Sequence, residues 1–194
     1  MYKDFLKRKE KVIITAIDIL DEAGIQGLTT KELAKREGIT EPAIYRQYDS
    51  KQDIILAILD RYALFDEDIT NTIKEQDMDP VQGVLYFAEA YAGYYQGYPQ
   101  ITTVMFSFDV FRYDKNTKDK MASIFKKRYD FVTELIKRGQ EQGAFSREKT
   151  AGELADMVLG LIWSATYRWR MGNSGDDLKK RITADIKWML HLPQ

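Results

Sequence analysis

The sequence predicts an all-α protein, built as a small N-terminal three-helix head followed by a larger helical body. Three observations predict it. Apolar residues recur three and four apart along the long segments instead of alternating. Only four prolines interrupt the 194 residues, at positions 42, 80, 99 and 193. Glycines and capping residues stand where the periodic segments stop. A chain of this length can bury a sizeable core, and the boundary is placed near residue 50, giving a head of residues 1–50 and a body of residues 51–194.

The first helix is expected from about Phe5 to Ala23, with Ile13, Ile17 and Leu20 on one face and Gly24 as its stop. Short helices follow to about Tyr48. A longer helix begins near Ser50, with Ile54, Ile55, Ile58, Leu59 and Tyr62 as its buried stripe, and the acidic run Asp66, Glu67, Asp68 beyond them is read as a solvated face. Asp79-Pro80 opens the next helix, and Tyr98-Pro99 makes a turn before another short one. Further helices are expected over residues 116–142, 148–171 and 175–191, with Gly143 and Gly172 at helix ends.

Composition removes several functions. With 29 Lys and Arg against 30 Asp and Glu the chain is nearly neutral, so any contact with a polyanion must be local. The absence of cysteine and the single histidine, His191, leave nothing for disulfides, thiolate chemistry or a histidine-built metal site. No cofactor and no metal are expected. The acidic run lacks a supporting Gly-rich loop, histidine or metal spacing, so the chain is read as a non-enzyme. The N-terminal Val-Ile-Ile is too short for a signal-peptide core, and no apolar stretch approaches a membrane span; a cytoplasmic protein with no membrane partner is expected.

Function concentrates in residues 29–51. Thr29-Thr30-Lys31-Glu32 reads as a capping box, the Thr29 hydroxyl taking the Glu32 amide while the Glu32 side chain reaches back. Leu33 and the small Ala34 face inward, Gly38 can supply positive φ for a tight turn, and Ile39 closes that turn onto the core. Thr40 is a good N-cap for the following helix, whose first turn tolerates Pro42. Ile44 and Tyr48, four apart, share the inner face. Glu41, Pro42, Ala43, Tyr45, Arg46 and Gln47 then point wholly or partly outward, and a short pinned helix with such a face has the dimensions to enter a DNA major groove.

The run from Leu28 to Lys51 resembles the DNA-binding domain of the TetR family of transcriptional regulators. The resemblance is carried by the Thr29-Thr30 pair, Leu33-Ala34 followed by Gly38-Ile39, Ile44-Tyr45, and the aromatic Tyr48 ahead of Ser50-Lys51. Glu37 and Tyr48 depart from the family pattern, where a small apolar residue and a phenylalanine are usual; Glu37 is expected at the helix surface. The resemblance implies that Thr30, Thr40, Tyr45 and Lys51 hold phosphates and that Pro42, Ala43, Arg46 and Gln47 approach base edges, with Arg46 suited to guanine and Gln47 to adenine. Glu41 could accept from cytosine N4, or simply complement the helix dipole.

Residues 86–111 are unusually aromatic. Part of this is core packing, but the tyrosines bring polar tips that a cavity or wet cleft accommodates naturally, and in the TetR family this part of the body holds an effector pocket. Tyr86, Tyr91, Tyr94, Tyr95, Phe106, Phe108 and Phe111 are its candidate lining, with Trp163 and Tyr167 from a later helix; the effector expected is small and hydrophobic or aromatic. The stretch Glu134 to Phe145 also resembles the family's bodies. Apolar stripes at Leu154, Val158, Leu161, Ile162 and Ala165, and at Leu178, Ile182, Ile186, Met189 and Leu190, mark two last helices through which the resemblance implies a homodimer. Two recognition helices one DNA turn apart read a palindrome.

Taken together these readings describe a ligand-responsive repressor that binds a double-stranded palindromic operator. Two alternatives stay open: a helix-turn-helix that docks proteins without ligand control, and an all-helical enzyme. Residues 1–51 hold ten basic and nine acidic residues, the basic ones clustered at Lys3, Lys7, Arg8, Lys9 and Lys11, so few phosphate contacts per head are expected. A titration of DNA affinity against salt should give a log–log slope on the order of minus four to minus eight for two heads; a flat response would remove the DNA reading.

Overall fold

A computed structural model describes residues 8–172 and 177–192. The expected helix start at Phe5, the cations Lys3 and Lys7, and Pro193 lie outside the described residues. The described residues form ten α-helices, α1 (Arg8–Gly27), α2 (Thr30–Glu37), α3 (Glu41–Tyr45), α4 (Lys51–Glu75), α5 (Pro80–Gly97), α6 (Thr102–Phe106), α7 (Phe108–Phe111), α8 (Lys115–Glu141), α9 (Ala151–Gly172) and α10 (Leu178–Met189). No strand occurs among them. Two compact units result: one runs to Leu64 and takes in Gln100–Ala122, and the other comprises Phe65–Pro99 and the chain from Ser123 onwards. Helices α4 and α8 contribute to both.

In the first unit α1 buries Val12, Ile13, Ala16, Ile17, Ile19 and Leu20, each fully buried valine, isoleucine or leucine being worth about 1.5–3 kcal/mol. Gly24 breaks the helical path with φ 63°, and the chain resumes one further turn to Gly27. Thr29 caps α2 by accepting the Glu32 amide at 3.1 Å. The reciprocal half of the expected capping box is replaced: the Glu32 carboxylate accepts from Arg36 Nε at 2.8 Å, a charge-assisted bond that holds Glu32 below the usual carboxylate range. Gly38 adopts φ 65°, ψ 32°, and the Ile39 amide reaches back to the Ala34 carbonyl at 2.9 Å. Glu37 is not simply a surface residue. It is half-buried and accepts a 2.5 Å hydrogen bond from the buried Thr15 hydroxyl of α1, which is how an acidic side chain replaces a small apolar one there.

The second unit is organised around α5, which starts on a full capping box between Asp79 and Gln82 with Pro80 at the first helical turn. Phe87, Tyr91 and Tyr95 on its inner face are buried, as are Val158, Ile162 and Ala165 of α9 and Ile182 and Ile186 of α10. The Glu134–Phe145 stretch has a packing reason. Gly139 makes room for the Phe145 ring, since a Cβ at Gly139 would fall 2.2 Å from that ring, and Gly143 turns the chain with φ 76°.

The acidic run after the α4 stripe divides. Glu67 and Asp68 are exposed as expected, but Asp66 is a structural anion with its side chain only 16% exposed. Arg128 of α8, 6% exposed, donates to both of its oxygens, Nε to Oδ2 and Nη2 to Oδ1, each at 2.8 Å. The Tyr91 hydroxyl donates to Oδ1 at 2.5 Å, and the guanidinium lies 4.7 Å from the Tyr91 ring centroid. Local charge patterning could not show this because the partner stands 62 positions away. Asp66→Ala leaves Arg128 buried without its anion and should cost about 3–5 kcal/mol in urea unfolding, whereas Asp68→Ala should stay within about 0.5 kcal/mol.

Candidate functional site

Helix α3 has five residues, too few to persist alone in water. What holds it is its inner face. Ile44 is fully buried and Tyr48 is 5% exposed. The Tyr48 hydroxyl donates to the Lys9 carbonyl of α1 at 3.1 Å, and the Lys9 ammonium sits 5.0 Å from the centroid of its ring. Burial pushes that hydroxyl up to about 12, so it stays a neutral donor. This anchor is available to tyrosine and not to phenylalanine.

Around this pin the expected reading and phosphate-holding residues are placed as follows. Pro42, Arg46 and Tyr45 are exposed, Tyr45 by 50%. Thr40 stands at the N-cap in extended geometry, yet its side chain makes no capping hydrogen bond, and it is exposed. Thr30, half-buried at the start of α2, donates to Glu41 Oε2 at 2.8 Å and lies 3.5 Å from the Tyr45 hydroxyl. Thr30, Glu41 and Tyr45 therefore form one cluster. Two residues differ from the outward placement expected. Ala43 is 8% exposed and packs inward beside the fully buried Ile44. Gln47 is folded back, its Nε2 donating to the Ala43 carbonyl at 3.2 Å, with its buried Oε1 meeting no donor among the described residues. Lys51, the first residue of α4, donates to the Ile25 carbonyl near the end of α1 at 2.8 Å, and partial burial lowers its pKa. Ser50 caps α4 by exchanging hydrogen bonds with Asp53.

The second unit carries an open cleft of about 570 Å³ on the outer side of α5. Its aromatic wall is Tyr86, Tyr94, Phe65 and Tyr98, with the Phe65 and Tyr94 rings stacked at 4.6 Å. Gly93 and Gly97 widen it, since space beyond both is open, and the ion pair of Lys179 with Glu89, 3.1 Å long, lies at its edge. Of the nine expected lining residues, Tyr86 and Tyr94 line this cleft. Tyr91 and Tyr95 are 3% and 1% exposed within the core of the same unit. Phe106, Phe108 and Phe111 belong to the first unit, with Phe108 67% exposed and Phe111 buried. Trp163 and Tyr167 stack at 5.7 Å on an exposed face of α9. Sequence reasoning missed Phe65, Glu89, Ala90, Gly93, Gly97, Tyr98 and Lys179; the glycine pair four apart on an otherwise aromatic helix was the available signal. Among the described residues no group of three or more acidic, histidine or cysteine side chains could hold a metal, and no helix is long and apolar enough to cross a membrane.

A capped α2, a glycine turn and a short α3 with its inner face pinned and its outer face polar define a helix-turn-helix DNA-binding protein. Comparison with known proteins gives the family. Residues 12–58 match the bacterial regulatory proteins of the tetR family, and residues 60–191 match the family of the YsiA-like protein, C-terminal region. The chain belongs to the TetR family of transcriptional regulators. It is 37% identical over 68 residues to the class A tetracycline repressor of Escherichia coli, a match covering 35% of this chain and 31% of that protein. It is thus similar to less than a third of that repressor's length. To the nucleoid occlusion factor SlmA of Glaesserella parasuis it is 27% identical over 168 residues, 81% of this chain and 80% of that one. The fold is that of the transcriptional regulator FadR of Bacillus subtilis, whose structure was solved with stearoyl-CoA: TM-score 0.79 at 17% identity, covering 95% of this chain and all of that one.

Proposed function

We propose that the protein is a cytoplasmic, homodimeric repressor that occupies a palindromic operator and releases it when an acyl-thioester effector binds the body, with residues 1–50 as the DNA-binding part and 51–194 as the effector and dimerisation part. The observation that carries this reading is an apolar stripe left facing solvent. The stripes that the sequence showed on α9 and α10 are mostly spent on the core, Leu161 and Met189 staying half-buried, but α9 keeps a second one: Gly160, Trp163, Tyr167 and Met171, spaced three and four apart, with Trp163 46%, Tyr167 42% and Met171 72% exposed. Trp188 of α10 is 75% exposed. Gly160 offers open space for a close helix approach. A second copy of the chain suits such a face, and the five-residue α3 needs one, since a single such helix reads too few bases to find one site in a genome.

On DNA, Thr30, Thr40, Tyr45 and Lys51 hold the backbone while Pro42, Arg46 and Gln47 reach the base edges; Ala43, expected among them, packs inward and keeps the helix seated instead. Arg46 is already exposed; Gln47 must leave the Ala43 carbonyl to do so. In the body an amphiphile enters the cleft beside Tyr86 and Tyr94. The FadR complex with stearoyl-CoA supports the choice of chemistry, as do aromatic walls that take an acyl chain next to Lys179, which takes anionic oxygens. Phe65 and Asp66 put α4 itself in this region, and α4 runs unbroken to Lys51. An occupant that favours one position of α4 shifts the spacing of two heads by its difference in affinity for the two arrangements.

Sedimentation at micromolar concentration should show a dimer, and Trp163→Asp with Tyr167→Asp should yield a folded monomer with lost operator affinity; a wild-type monomer would overturn the dimer. Stearoyl-CoA should displace the protein from DNA selected out of a random pool, where coenzyme A alone does not. Arg46→Ala should relax one base position by about 1–3 kcal/mol without changing the thermal midpoint.

A further inference from the structure

The reading face carries an anion of its own. Glu41 Oε2 accepts the Thr30 hydroxyl at 2.8 Å, and that hydroxyl is 3.5 Å from the Tyr45 hydroxyl. These are two of the residues assigned above to a DNA phosphate. A carboxylate and a phosphate present the same thing to such donors, an anionic oxygen. The other neighbouring carboxylates are engaged elsewhere: Glu32 and Glu22 are held by Arg36, and Glu37 by Thr15. Glu41 is paired with no cation among the described residues.

We infer that Glu41 is an intramolecular stand-in for a backbone phosphate. In the free head it occupies the Thr30 donor beside Tyr45, and it must turn away when a DNA phosphate takes that place. The inference rests on Thr30 and Tyr45 being phosphate holders. A glutamate serving only the dipole of α3 has no reason to reach eleven residues back to the first residue of α2. Two effects follow. The bond keeps the Thr30 hydroxyl aimed at the cluster before DNA arrives, which lowers the ordering cost of binding. The charge opposes casual association with any duplex, in a head whose basic and acidic residues nearly cancel and which therefore has little long-range attraction to spare. Selectivity in this protein would come partly from a built-in repulsive group.

The test uses the full chain, an operator selected from random DNA and an unrelated duplex of equal length, with affinity read by fluorescence anisotropy over a range of salt. Glu41→Gln and Glu41→Ala are expected to tighten binding to both duplexes, by roughly threefold per head and about tenfold for a dimer, the size of one unit-charge repulsion near water. The salt slope should steepen by up to about one per head, because an anion that offset one of the head's cations is gone. Thr30→Val and Tyr45→Phe are expected to weaken both duplexes. If Glu41→Gln weakens the operator alone, Glu41 reads a base and the inference is overturned. Unchanged affinity and slope in both Glu41 variants overturn it too. If Thr30→Val and Tyr45→Phe change nothing, the phosphate assignment itself fails, whatever Glu41 does, and the inference falls with it. Thermal midpoints of all four variants separate these outcomes from misfolding.

Discussion

Everything this protein reads depends on keeping a five-residue helix in place. Nucleating a helix fixes several dihedral angles for one hydrogen bond, so α3 has no stability of its own. Tertiary packing supplies it. Ile44 and Tyr48 seat its inner face, the Tyr48 hydroxyl ties it to the Lys9 carbonyl, and the Gly38 turn delivers the chain at the right angle. Because the inner face is committed to this pin, the outer face is left to Pro42, Tyr45 and Arg46.

The same economy of polar groups runs through the second unit. A tyrosine-rich helix such as α5 must satisfy its hydroxyls or expose them. Tyr91 does the first, joining Arg128 on Asp66. Tyr86 and Tyr94 do the second, standing in the cleft that Gly93 and Gly97 open. The buried Asp66–Arg128 pair is a poor source of net stability compared with apolar packing. Its geometry, bidentate and shared with a tyrosine, instead fixes one alignment of α4, α5 and α8 within that unit.

On the proposed reading of this face, near-neutral charge and selective DNA binding coexist through short-range contacts. With attraction and repulsion almost balanced over the head, small placements decide the outcome: a carboxylate on Thr30, an amide folded against Ala43, a lysine spent on Ile25. Each is a short-range arrangement that a count of charges does not contain.

Local chemistry was legible without coordinates. The Thr29 cap, the Gly38 turn, Pro42 in the first turn of α3, the Asp79-Pro80 start and the core stripes of α1, α9 and α10 depend on neighbours a few residues away, so residue type and spacing determined them. The tertiary structure alone decided what depends on distant neighbours. It paired Asp66 with Arg128, put Thr15 under Glu37, turned Ala43 inward, and assigned Phe106, Phe108 and Phe111 to the first unit. It also revealed that Trp163 and Tyr167 stack on a solvent face. Helical periodicity says that a residue lies on a face; which neighbour that face meets is settled only when the helices pack.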